Sequence, residues 1–385
     1  MILFLGSGIS IPSGLPCVAD LMDSIQWGEW QKGTDQLFYP GRGHDFGMAD
    51  PTDSVQRFLR YVKGLADAVH AKRDLDSANY EDLFFLFKQI ADQERGEQRN
   101  AAVDAFVTAL RLEVPAFPID QGHSSGYPSV LTALADMAGN LIQSAVRYKL
   151  ATGNKPIGLD LIRDVAAREP ATIVTLNHDL LVESLLNDAH ITFDDGFGVP
   201  DGEIRRFHEQ NLVPRKVPRL LKLHGSINWY GMAKKTGANR EPKVVIPLNG
   251  DPWHCKTANG EALDNWSGDP LFLTGVGNKV ASYNLGIYAE MFFRFHEALK
   301  GDNIIVMSGY GWGDRGVNTR LLDWMYDAPD RRLILLHEKP EEFMHRLTPL
   351  SYRRDWLVEQ KRLVEVRKWL KDMTLAELDS LVAGL

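Results

Sequence analysis

Four apolar runs, each ending in a polar or glycine-bearing turn, constrain this chain more than any other feature. They are ILFLGSGIS (Ile2 to Ser10), ATIVTLNHDLL (Ala171 to Leu181), RLLKLHGSINW (Arg219 to Trp229) and IIVMSGYGWGD (Ile304 to Asp314). Short runs of Val, Ile and Leu with little polar alternation read as strands buried on both faces, which is the habit of parallel sheets. A further run, RRLILLHE, ends at Glu338. Repeated strand-then-turn units predict an α/β fold, a parallel sheet flanked by helices whose strand carboxyl ends meet at one ligand crevice.

At 385 residues the chain is too long for one ordinary core. Between the first run and the second the pattern becomes helical. Val55, Phe58, Leu59, Val62, Leu65 and Val69 recur at helical spacing, and Tyr80, Leu83, Phe84, Phe87 and Ile90 repeat the pattern behind Asn79. Further helices are expected near Arg99 to Leu112 and Ser129 to Leu150. The organisation expected is therefore a sheet domain of residues 1–52 and 153–385 carrying an all-helical insertion over 53–152. Met232 to Asn278, rich in Gly, Pro and Trp, reads as an irregular excursion or small hairpin. The region after Pro340 reads as helical, with Leu357, Leu363, Val364 and Trp369 as its buried stripe.

Net charge is -8, which argues against a general binder of nucleic acid or anionic membrane. A local basic stretch, Arg205, Arg206, Arg215, Lys216, Arg219 and Lys222, reads as a solvated loop. The two cysteines, Cys17 and Cys255, are too few for a disulfide framework or a four-cysteine zinc site. No run approaches the roughly 20 apolar residues of a membrane helix, and no secretory signal is expected, so the chain reads as cytoplasmic and soluble.

The turns hold the candidate chemistry. In GSGIS, Gly6 and Gly8 would let backbone approach a phosphate at a helix start, and the missing Gly-Lys-Ser/Thr excludes a nucleoside-triphosphatase loop. Asn177 and Asp179 of TLNHDLL sit where strand becomes helix. One of them could be a plain helix cap; alternatively, both serve a site, one orienting a water or ribose and the other gripping an amide. His224 leaves its strand beside Gly225, a position suited to proton transfer. Gly309, Gly311 and Gly313 would allow close passage along a ribose or adenine, with Asn318 on the next helix. Glu338 reads either as a surface helix-start glutamate or as an acid binding a ribose hydroxyl.

In this order, GSGIS, TLNHD, KLHGSINW, SGYGWGD and the strand ending at Glu338 resemble the sirtuin superfamily, and within it the bacterial antiphage-defence branch rather than the protein deacylases. The likeness covers about residues 1–20 and 170–340. It implies a Rossmann-like sheet that binds NAD+ as substrate, with Gly6, Gly8 and Ser10 on the pyrophosphate. It places Asn177 and Asp179 around the nicotinamide ribose, makes His224 the catalytic histidine, and lays Gly309, Asp314 and Asn318 along the ribose and adenine. Two departures bear on the activity. Sirtuin deacylases carry a zinc ribbon with two Cys-x-x-Cys pairs, absent here, and an Asp-Phe-Arg run replaced here by Cys17, Val18, Ala19 and Asp20 after Pro16. The defence relatives hydrolyse NAD+, lack the zinc module and bear helical additions.

The expected reaction is substitution at the anomeric carbon of the nicotinamide ribose through an oxocarbenium-like centre, with no metal required. Asn177 would hold water or a ribose hydroxyl, His224 would accept a proton, and Asp179 would shape the nicotinamide pocket. A zinc-free NAD-dependent deacylase is the alternative. A non-catalytic sensor of NAD+ or ADP-ribose is a third reading, against which the presence of both Asn177 and His224 speaks. Unregulated NAD+ hydrolysis would harm its host, so gating by homo-oligomerisation or a partner is expected. The resemblance implies a defence partner such as a HerA-type hexameric ATPase, and the charge argues against direct nucleic-acid or membrane contact.

Overall fold

The computed structural model describes residues 1–33, 37–41, 50–97, 100–213, 216–235, 241–275, 279–341 and 352–385. Arg215 of the basic stretch lies outside them. The chain divides into two compact units, one of Met1–Leu15, Ala151–Leu273 and Lys279–Leu385, the other of Pro16–Leu150 with Thr274–Asn278.

The first unit is built on a six-stranded sheet of β1 (Ile2–Leu5), β4 (Thr172–Thr175), β6 (Arg219–Lys222), β11 (Ile304–Ser308), β12 (Arg332–Leu336) and β13 (Leu363–Val366). Its order is β13-β12-β11-β1-β4-β6, and every pairing is parallel. Renumbered within the sheet, that order is 3-2-1-4-5-6, the doubly wound dinucleotide-binding order, with the reversal between β1 and β11. Register then decides where the site is. Leu5 pairs with both Ser308 and Thr175, and Thr175 pairs with Lys222. The turns after β1, β4, β6 and β11 therefore leave one edge of the sheet side by side.

Helices α7 (Asp160–Arg168), α8 (Leu181–Asp188), α9 (Lys279–Ser282), α10 (Gly286–Gly301) and α11 (Arg315–Asp327) belong to this unit. Phe4, Val174, Leu221, Met307, Phe295 and Trp324 share its core. The expectation of an all-helical C-terminal region fails at Leu363 and Val364. They form β13, held by parallel pairing with Leu333 and Ile334 of β12. Met232 to Asn278 is more regular than expected. It contributes most of an antiparallel sheet ordered β5 (Ile204–Arg206), β8 (Lys243–Pro247), β7 (Tyr230–Lys234), β10 (Ala262–Asn265), β9 (Cys255–Lys256).

In the second unit a hairpin, β2 (Trp30–Lys32) with β3 (Phe38–Pro40), accompanies α1 (Val18–Trp27), α2 (Thr52–Ala71), α3 (Tyr80–Glu94), α4 (Ala101–Glu113), α5 (Gln121–Ser124) and α6 (Val130–Leu150). The Asn79 side chain caps α3 by accepting from the amides of Glu81 and Asp82, and the Asn79 amide donates in turn to the Asp82 carboxylate. Phe58, Phe87, Leu134 and Ile142 lie in one apolar core. No described helix is long and apolar enough to cross a membrane.

Candidate active site

The turns after β1 and β11 are locked together by backbone. The Gly6 amide donates to Ser308 O and the Gly8 amide to Gly309 O, both at 3.0 Å. A Cβ on Gly6 would lie 2.4 Å from Gly309 O, and one on Gly309 (φ 70°) 2.6 Å from Ile9 N. These glycines are demanded by contact between two chain segments, and the Gly6 and Gly8 amides are already committed. Any phosphate held here would meet other atoms of the turn.

Ser10, Asn177 and Asp179 form a buried chain of hydrogen bonds beside that lock. Asn177 Nδ2 donates to Gly6 O (3.2 Å) and to Ser10 Oγ (3.0 Å), and Ser10 Oγ donates to Asp179 Oδ2 (2.8 Å). Asp179 Oδ1 accepts the amide of Leu181, the first residue of α8, so one carboxylate both holds the helix start and takes part in the cluster. With both N–H bonds of Asn177 committed, its orientation is fixed. Among the described residues its Oδ1 is a buried acceptor without a partner. Such an atom is costly to leave unsatisfied and marks where a ligand donor belongs.

His224 stands on the next turn. Gly225 (φ 79°) makes that turn possible, because a Cβ there would lie 2.2 Å from Leu271 O. His224 Nε2 lies 2.8 Å from Asp314 Oδ2 and 2.7 Å from the Tyr283 hydroxyl, which itself donates to Asp314 Oδ2 at 2.5 Å. Burial alone would raise the Asp314 carboxyl. The hydrogen bond and charge of His224, the Tyr283 hydroxyl and the Val317 amide outweigh it and hold the group far below the ordinary carboxylate range. An ionised Asp314 only accepts hydrogen bonds, so a proton of His224 resides on Nε2, facing that carboxylate.

The structure thus brings Gly6, Gly8, Ser10, Asn177, Asp179, Gly309, His224 and Asp314 to one sheet edge. Asp314 faces His224 and caps α11 through Val317 N. Asn318 braces the glycine-rich turn from within, accepting from Tyr310 Oη (2.7 Å) and donating to Trp312 O (2.8 Å). Glu338 is exposed beyond β12, and among the described residues no hydrogen bond or ion pair joins it to this cluster. Tyr283 escaped the sequence reading because it reaches His224 across 59 residues with no motif around it.

His178, inside the TLNHD turn, was also passed over. Its ring lies 4.8 Å from that of Phe272, and among the described residues its buried Nδ1 has no partner. Burial, then the positive charges of His224, Lys279 and Lys222, press its pKa well below the ordinary histidine value. The unfolded chain therefore binds a proton here that the native state refuses. Stability is fully present above about pH 6.5 and falls as pH drops below it, by at most about 1.4 kcal/mol per pH unit from this residue. Thermal midpoints measured between pH 7.5 and 5.5 should fall less steeply in His178→Phe than in the parent; equal slopes would contradict this.

Of the basic stretch, Lys216 is exposed as expected, but Arg205, Arg206, Arg219 and Lys222 are not loop residues: they lie on β5 and β6. Lys222 is 2% exposed and donates to Asp179 O (2.5 Å) and Glu183 Oε1 (2.7 Å). Arg219 is buried against Leu212 O and Thr172, and Arg205 forms a two-pronged pair with Asp195. Burial raises the Glu183 carboxyl, opposed by Lys222.

No protein-family model matches the chain, and no curated protein matches it. Among solved structures the chain is similar to the crystal structure of a Sir2 homolog–NAD complex, at 11% identity and a TM-score of 0.37, over 100% of this chain and 89% of that one.

Proposed function

We propose that the chain is a sirtuin-like NAD+ glycohydrolase that cleaves the nicotinamide–ribosyl bond to give nicotinamide and ADP-ribose. The observation that carries the reading is Asn177, whose amide is fully anchored while its buried Oδ1 has no partner. That acceptor suits a water or ribose hydroxyl, and the Asp314-oriented imidazole of His224 suits the proton it gives up. The carbon–nitrogen bond breaks with its electron pair going to nicotinamide, water oxygen bonds to the anomeric carbon, and the water proton passes to His224 and then to solvent. Asp179 and Ser10 hold Asn177 in place.

Lacking the paired Cys-x-x-Cys of zinc-bearing deacylases, the chain fits hydrolysis better than transfer to an acyl-lysine. Since unchecked hydrolysis depletes NAD+, the reading includes antiphage defence as the setting, and gating by self-assembly or a partner ATPase. Asn177→Ala should lower NAD+ turnover by about 10²–10⁴-fold with the melting temperature nearly unchanged. Turnover within threefold of the parent would overturn the assignment.

A further inference from the structure

Lys222 is a buried cation that the proposed chemistry does not use. It ends β6, two residues before His224, and its register partner Thr175 ends β4, two residues before Asn177. From there Nζ donates to Asp179 O (2.5 Å) and Glu183 Oε1 (2.7 Å). The Asp179 carbonyl has no other hydrogen-bond partner among the described residues. The carbonyl before it, His178 O, accepts the Ile227 amide (3.0 Å). The turn bearing Asn177 is thus held by its backbone to the segment that carries His224.

Stability does not account for this lysine. Burying an ion pair costs much of what its attraction returns, and a well-packed apolar pair of similar volume often serves a fold as well or better. A methionine would fill the space of the Lys222 stem, but it brings no N–H to Asp179 O. Displacing Asp179 would not stay local, because its carboxylate takes the Ser10 hydroxyl, which in turn holds Asn177 Nδ2. We infer that Lys222 is a positioning residue that fixes the spacing between Asn177 and His224, with Glu183 in the first turn of α8 steadying its Nζ. The kinetic consequence rests on the hydrolase reading; the anchoring of the turn does not.

Two variants of the full chain separate positioning from plain structural support. Lys222→Met leaves the Glu183 carboxylate buried and unpaired, and should melt roughly 10 °C or more below the parent. Lys222→Met/Glu183→Leu removes both charges and should melt within about 5 °C of the parent. In both, kcat for NAD+ should fall by the same factor, about 10–100-fold, with KM changed by no more than about threefold. Hydrogen exchange of the peptide covering residues 176–182 should quicken about tenfold in the double variant, while the peptide covering β11 keeps the parent's rate. Turnover that recovers along with the melting temperature in the double variant, or exchange at 176–182 that matches the parent, would overturn the inference. A parent that leaves NAD+ intact would refute the hydrolase reading, and the exchange comparison then decides the anchor on its own.

Discussion

Replacing His224 by Ala should reduce NAD+ cleavage by about 10²–10⁴-fold, the usual worth of a positioned acid–base group, while the chain stays folded. The companion variants make this more than a knockout. Asp314→Asn keeps an oxygen to accept the Val317 amide and so retains the cap of α11, but it removes the carboxylate that fixes the proton of His224 on Nε2. It should therefore lower kcat by roughly ten- to a thousandfold with little change in KM or melting temperature. Tyr283→Phe removes one donor from the same carboxylate and should cost about tenfold or less. Steady-state kinetics across the three variants checks the ranking. A Tyr283 effect exceeding that of His224 would contradict the roles assigned.

The second large effect is structural. Gly309→Ala should destabilise the sheet unit by roughly 3–5 kcal/mol, from a left-handed backbone position plus overpacking, and lower the melting temperature by on the order of 10 °C. The reason is local. The new Cβ meets Ile9 N at 2.6 Å and Gly6 O at 2.8 Å, backbone atoms that cannot move without breaking the turn after β1. Gly311→Ala, two residues on, has nothing within 4 Å of its Cβ and should be nearly silent. Calorimetry on the two variants measures the contrast, and equal melting temperatures would refute the interlock.

Much of the fold was legible because buried parallel strands leave unalternated apolar runs. Ile2–Leu5, Thr172–Thr175, Arg219–Lys222, Ile304–Ser308 and Arg332–Leu336 all stand out in this way. Leu363–Val366 did not, because charged residues flank it closely and its strand character comes from its partner β12. In the site, Asn177, Asp179 and His224 were legible as polar residues at strand ends. What each contacts was not. Tyr283 and Asp314 converge on His224 only through the packing of α11 and the segment before α10. Lys222 looked like one more surface cation, and only three-dimensional pairing with Asp179 and Glu183 explains its burial.

The central claim is that this sheet edge hydrolyses NAD+. Its most direct test is chromatographic product analysis of the purified chain, over a wide range of protein concentrations, incubated with NAD+ with and without an acetyl-lysine peptide. Nicotinamide and ADP-ribose are expected in equal amounts without the peptide, and no O-acetyl-ADP-ribose when it is added. Nicotinamide released only in the presence of peptide, together with O-acetyl-ADP-ribose, would contradict it.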